Sequence, residues 1–343
     1  MSKINDDERI DPRIKAIFGS IALGGSNDVE SREAAITSAN SIKSMLTRKM
    51  VKGFLNRCDT EKIAPSKGLV VTDKTFTSAP DGNEVKIQYI RPDTNDVLPC
   101  VYYIHGGGMA TMSCYDGNYK AWGRILAAQG VAVALVDFRN ALVPSSAKEI
   151  APFPAGLNDC ISGLKWLSEN SQLLGIDASK IVLCGDSGGG NLALASGLRL
   201  KQEGSLNLIA GIYALCPYIA GKWPQPNSPS STENNGILLE LHNNQGRMIY
   251  GIDAFNEGNP LAWPGFATED DVRGLVPTCI SVNECDPLRD EGVNFYRLLM
   301  RAGVTASCRQ VMETIHAIEV FPIACPDISR QTAASIAHFC FEL

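Results

Sequence analysis

Short, continuously apolar runs punctuate the chain: CVYYI (100–104), VAVALVDF (131–138), KIVLCG (180–185), LIAGIYAL (208–215) and VPTCISVN (276–283). Runs of this length, rich in Val and Ile, fit strands buried on both faces of a parallel sheet, because a sheet with one wet face would alternate. Between them lie segments of helical period at 117–129, 156–173, 189–202 and 288–302. The second of these sets Leu157, Ile161, Leu164 and Leu167 on one face. Strand alternating with helix predicts a doubly wound α/β sheet.

Two further runs, LVVTDKTFTSA (69–79) and EVKIQYIR (84–91), alternate apolar and polar residues around the turn Ala79-Pro80-Asp81-Gly82-Asn83. They predict an antiparallel pair at one sheet edge. With VTASCRQVM (304–312) the count reaches a mostly parallel, eight-stranded sheet. Residues 1–65 read as polar and helical. From Pro217 to Asp271 the chain is rich in Pro, Asn, Ser and Gly where a short loop would suffice, and so long an insertion is usually functional. The expected organisation is a catalytic domain of residues 66–216 and 272–343, covered by a helical cap built from 1–65 and 217–271.

At 343 residues the chain can bury a deep, dry site without metals or disulfides. Its net charge of −6 implies that no basic field exists to attract nucleic acid or an anionic membrane. No apolar run approaches the roughly 18 residues of a membrane span, and the polar, acidic start MSKINDDERIDPRIKAIF is unlike a signal peptide. Eleven cysteines, an odd number with scattered spacing, suit reduced structural thiols and a cytoplasmic location. Cys285 is singled out only because it neighbours a candidate acid.

Gly185-Asp186-Ser187-Gly188-Gly189 matches G-x-S-x-G between an apolar strand and a helix, the context in which that motif lifts a nucleophilic serine out of a sheet. Glycine is needed there because so tight a turn leaves no room for flanking side chains. His105-Gly106-Gly107-Gly108 follows the strand CVYYI. Consecutive glycines at a strand end expose backbone N–H groups, the construction of an oxyanion hole. The amides of Gly106, Gly107 and Gly188 are the expected donors.

A serine nucleophile needs a base, and the chain has four histidines. His105 belongs to the glycine loop, His242 to the insertion and His338 to a C-terminal helix. His316 follows the last strand, at the edge where ligands of such sheets bind. The orienting acid is expected between serine and histidine in chain order. Asp286 stands at the strand-to-helix turn before Pro287, whereas Asp290 and Glu291 already lie on the helix. Glu284 is the reserve.

HGGG (105–108), GDSGGGN (185–191) and DPLRDEG (286–292), with a histidine 30 residues after the aspartate, together resemble the hormone-sensitive-lipase family of carboxylesterases. The resemblance covers residues 68–343 and implies an α/β-hydrolase fold, a Ser187–Asp286–His316 triad and an N-terminal helical cap. It implies hydrolysis of small carboxylic esters, with short acyl chains and bulky or aromatic alcohols, through an acyl-enzyme, and requires no cofactor or metal. VDFRNA (136–141) and LAWPGFATEDDVRGL (261–275) resemble one macrocyclic-lactone hydrolase within the family, which makes a lactone the alternative substrate. A remote alternative is a non-catalytic small-molecule receptor, as in relatives that have lost the histidine. Some relatives pair through the edge of the last strand, so a homodimer is compatible. Met109, Trp223, Trp263 and Phe266 are candidates for the pocket wall. Two positions depart from the family pattern: Ala317 stands where glycine commonly follows the histidine, and Gly188 where alanine commonly follows the serine. A side chain at 317 is expected to require φ below zero.

Overall fold

The computed structural model describes residues 3–20 and 27–343. All eight expected strands form one sheet, in the order β1-β2-β4-β3-β5-β6-β7-β8. They span Leu69–Thr77 (β1), Glu84–Pro92 (β2), Leu98–Ile104 (β3), Ala132–Asp137 (β4), Ile176–Asp186 (β5), Gly211–Leu215 (β6), Thr278–Asn283 (β7) and Ala306–Val311 (β8). β2 pairs antiparallel with both β1 and β4. Every other neighbour pair is parallel.

Among the described residues, eight helices have seven or more residues: α1 (Pro12–Phe18), α2 (Arg32–Ala39), α3 (Ile42–Leu55), α4 (Gly117–Ala127), α5 (Ala155–Glu169), α6 (Gly188–Gln202), α7 (Arg289–Arg301) and α8 (Pro326–Glu342). The sheet is buried on both faces because successive strand residues point to opposite sides. On β3, Cys100, Tyr102 and Ile104 join a core with Leu157 and Leu164 of α5, Leu192 of α6 and Phe295 of α7. Val101 and Tyr103 face the other way, against Trp122 of α4 and Ile336 of α8. The continuous apolar runs follow from this two-sided burial. β1 and β8 lie at the edges and keep many exposed positions.

The N-terminal stretch is helical as expected, although residues 1–2 and 21–26 lie outside the described residues. It is joined to the 217–271 segment. Arg9 Nη2 donates to Asn234 Oδ1 at 2.9 Å, and Gln245 Nε2 donates to Asn27 O at 2.7 Å. The Asn244 side chain donates to Val29 O at 2.9 Å and accepts from Val29 N–H at 2.8 Å. No helix among the described residues is long and apolar enough to cross a membrane.

Candidate active site

Because β3 through β8 all run in one direction, their C-terminal ends share one rim. Ser187 follows β5, Asp286 follows β7 and His316 follows β8 on that rim. Ser187 adopts φ 55° and ψ −118°, a conformation a non-glycine residue keeps only where its surroundings hold it. They do: its N–H donates to Leu215 O at 2.9 Å, and its carbonyl accepts from Tyr218 N–H and Asn191 N–H, both at 3.0 Å. The motif glycine at 189 is fixed by close approach, since a Cβ there would stand 1.9 Å from Ile104 O.

Asp286 Oδ1 accepts from Leu288 N–H at 2.9 Å, and Oδ2 lies 2.7 Å from His316 Nδ1. A carboxylate only accepts, so Nδ1 carries the proton and Nε2 keeps its lone pair. Burial by itself pushes the His316 imidazole toward neutrality, but the charge of Asp286 and the bond to it outweigh burial and raise its pKa above the ordinary value. Cys216, just after β6, has its sulfur within 4.8 Å of ligand atoms of both Asp286 and His316. The Ser187 backbone N–H approaches the same sulfur. Asp286, His316 and the backbone of Ser187 thus all lie near one buried thiol. Burial, then the nearby carboxylates of Asp286, Glu319 and Asp186, raise that thiol's pKa far above the ordinary value and keep it neutral. The three ligand atoms are close enough to meet one cation, but the Asp286–His316 bond already occupies the groups a cation would need.

The loop after His316 differs from expectation. Ala317 sits at φ 53° and ψ 28°, in the left-handed region. The side chain is therefore carried in a conformation that costs an L-residue roughly 1–2 kcal/mol.

His105 is fully buried, stacked on Phe138 with ring centroids 4.3 Å apart, and its Nδ1–H donates to Gly106 O at 2.9 Å. One expected oxyanion donor is corrected by the structure. The Gly106 N–H donates to Tyr119 Oη at 2.8 Å, so it faces into the protein and is not available to a substrate. Tyr119 in turn donates to Asp186 Oδ2 at 3.0 Å, and Tyr103 donates to Asp186 Oδ1 at 2.8 Å. Asp186, beside the serine, ties the glycine loop to the serine turn. Sequence reasoning missed Tyr119 because nothing in the local pattern around it marks a buried hydroxyl. Gly107 and Gly108 take φ 96° and 63°. Their N–H groups meet no acceptor among the described residues. The Gly188 backbone packs directly on them, with Gly108 N and Met109 N closest to where a Cβ would stand.

A cleft of about 790 Å³ opens beside this loop, lined by Thr111 and Met112, by Tyr115 and Val143, and by Val51 and Leu55 of α3. Ser187 itself does not line it, and neither do the four expected wall residues. Trp263 is fully buried against Tyr218, Tyr250 and Phe255. Trp223 stacks on Tyr218 at 4.6 Å and donates to Glu291 Oε2 at 2.6 Å. Met109 is 1% exposed, and Phe266 lines a separate cleft with Ile219, Glu291 and Asn294. The aromatic residues of the insertion extend the core that β3, α5, α6 and α7 share, because rings that large must be covered and the sheet's helices offer the apolar surface to do it. Glu291 fixes the start of that segment, also accepting from Ile219 N–H at 2.7 Å; burial pushes its carboxyl up to about 8 against the pull of these donors. Cys285 is fully buried beside Ile4, Ile14 and Ile315, and burial pushes its thiol up to about 12. That is packing, not a reactive site.

Comparison with known proteins gives the family. A family model described as an alpha/beta hydrolase fold matches residues 101–320. The esterase Est22 is 68% identical, with 99% of each chain covered and a TM-score of 0.97, and it has also been solved with p-nitrophenol. Brefeldin A esterase, a bacterial homologue of human hormone-sensitive lipase, is 31% identical over 99% of this chain and 95% of its own, with a TM-score of 0.85. Carboxylesterase NlhH of Mycobacterium tuberculosis is 31% identical over 265 residues, 73% of this chain and 75% of its own. The chain belongs to the α/β-hydrolase fold family, among the carboxylic-ester hydrolases related to hormone-sensitive lipase.

Proposed function

We propose that this chain hydrolyses small carboxylic esters by a serine mechanism with Ser187 as nucleophile, His316 as general base and acid, and Asp286 as the orienting carboxylate. The observation that carries this is the 2.7 Å bond between His316 Nδ1 and Asp286 Oδ2, which leaves Nε2 as the basic nitrogen on the rim where Ser187 stands. Ser187 Oγ attacks the ester carbonyl as Nε2 takes its proton. The negative oxygen that forms is held by the N–H groups of Gly107, Gly108 and Gly188, each worth about 3 kcal/mol in the transition state. His316 then returns the proton to the departing alcohol. Water attacks the acyl-enzyme by the same route and releases the carboxylic acid. His105, the brace Tyr119–Asp186–Tyr103 and the Ala317 turn position these groups.

The helices of residues 3–20 and 27–65, joined to the 217–271 segment, form a cap over the rim, and the 790 Å³ cleft beside α3 admits the alcohol portion of the ester. A bulky or aromatic alcohol suits its lining of Tyr115, Met112 and Val143, and p-nitrophenol in Est22 is an alcohol of that kind. Likeness to brefeldin A esterase over nearly the whole chain favours a macrocyclic lactone as the second reading. A panel of p-nitrophenyl esters of increasing acyl length, run beside a macrolactone, tests both. Wild type is expected to show burst release of p-nitrophenol on short acyl esters, and Ser187→Ala none. Turnover retained by Ser187→Ala would overturn the mechanism, and ester binding without any burst in the wild type would point to a receptor.

A further inference from the structure

Amphipathic helices ordinarily turn their apolar stripe toward the core; before its last turn α3 does the reverse. Its inward contacts are made by Leu55, which is buried, by Phe54 in the last turn, whose ring meets Phe18 edge-on at 5.7 Å, and by Arg48, whose guanidinium donates to Ala39 O. Its outward side carries Ile42, Leu46 and Met50 at a four-residue spacing, exposed by 74%, 58% and 76%, with Met45 beside them at 48%. Lys43 and Lys49 border this stripe on either flank and form no ion pair among the described residues. From residue 34 to residue 58 the chain has no Asp or Glu, yet it carries Lys43, Arg48, Lys49, Lys52 and Arg57. A strongly basic helix with a bare apolar stripe is thus held on the surface of a chain whose net charge is −6.

We infer that α3 is a docking surface for an anionic phospholipid bilayer. The stripe supplies residues that enter the boundary between headgroups and acyl chains, and the flanking lysines can lay their stems along it while their ammonium groups reach lipid phosphates. A second copy of the chain is the poorer occupant, since a two-fold contact would set this basic helix against its own image. Thr47, Val51 and Leu55 on the other side of the same helix line the 790 Å³ cleft. Docking therefore places the cleft next to the lipid. The inference rests on the helix surface and not on the ester chemistry.

Co-sedimentation of the full chain with phosphatidylcholine vesicles, with and without phosphatidylglycerol, tests it. Binding is expected only with phosphatidylglycerol and is weakened by salt. The double variant Leu46→Glu, Met50→Glu should abolish binding, and Lys43→Ala should weaken it about fivefold. Thermal unfolding and hydrolysis of a soluble p-nitrophenyl ester show that the variants are folded, because none of these side chains lines the cleft. Equal binding to neutral vesicles, no binding, or binding retained by the double variant would overturn the inference. So would a dimer, seen by sedimentation equilibrium without lipid, that the double variant dissolves.

Discussion

Replacing Gly188 by alanine, the residue common at this position in the family, adds one methyl group where the serine turn of this chain meets its glycine loop. A Cβ built there stands 2.5 Å from Met109 N, 2.7 Å from Gly108 N and 2.8 Å from Gly108 Cα. Ordinary contact between such atoms begins near about 3.5 Å, so a gap of roughly 1 Å must open. All three neighbours are backbone, so no side chain can rotate away. The loop cannot retreat freely either, because Gly106 is held by Tyr119 and Met109 O accepts from Ala141 N–H at 2.9 Å. On the other side, Gly189 already presses on Ile104 O. The proposed donors Gly108 and Gly188 are therefore forced apart. A misplacement of about 1 Å in a positioned group costs on the order of 100-fold, similar to losing one oxyanion donor. Steady-state hydrolysis of p-nitrophenyl acetate by Gly188→Ala should show kcat reduced about 100-fold with KM little changed. Overpacking should cost about 1–3 kcal/mol in urea unfolding. A variant with kcat within threefold of wild type and an unchanged unfolding midpoint would refute the reasoning, and with it the placement of the oxyanion donors.

Two further perturbations probe the base and its support. Because His316 must be neutral to accept a proton and its pKa is raised, kcat/KM should rise with pH through a midpoint above the roughly 6.5 of free histidine. The stability contribution of this group has the opposite sense: it is complete below about 6.5 and disappears as pH rises through the folded-state value. In Asp286→Asn, burial remains and the countering charge is gone, so the midpoint should move down while kcat falls by about 10⁴; an unmoved midpoint would show that Asp286 does not set the basicity of His316. Tyr119→Phe removes the hydroxyl that joins Gly106 N–H to Asp186, leaving a buried donor without its partner, at a cost of about 1–3 kcal/mol. Urea unfolding measures this, and a loss below about 0.3 kcal/mol would mean that the brace is not structural.

The strands were legible in the sequence because burial on both faces leaves a continuous apolar run, and β3 through β7 are covered by helices on both sides. Ser187 was legible because its turn needs glycine at fixed offsets, a steric demand that acts within five residues. Asp286 and His316 follow from chain order and from strand ends. What the sequence could not decide is what meets what across the fold. Gly106 and Gly107 look alike in HGGG, yet one amide faces Tyr119 and the other meets no acceptor among the described residues, a difference set by the helix that carries Tyr119. Ala317 reads as a residue that should avoid positive φ, and only the packing of the loop around it imposes 53°. Trp223 and Trp263 read as pocket walls, but both pack on Tyr218 within the core that the sheet's helices share. The periodicity of α3 announces an apolar stripe without saying which way it faces, and the net charge of −6 conceals the local basic surface. Local sterics and solvent exclusion act on neighbouring residues and leave a pattern in the sequence. The partner of a buried amide, ring or helix face comes from a distant part of the chain, and only the tertiary structure brings it there.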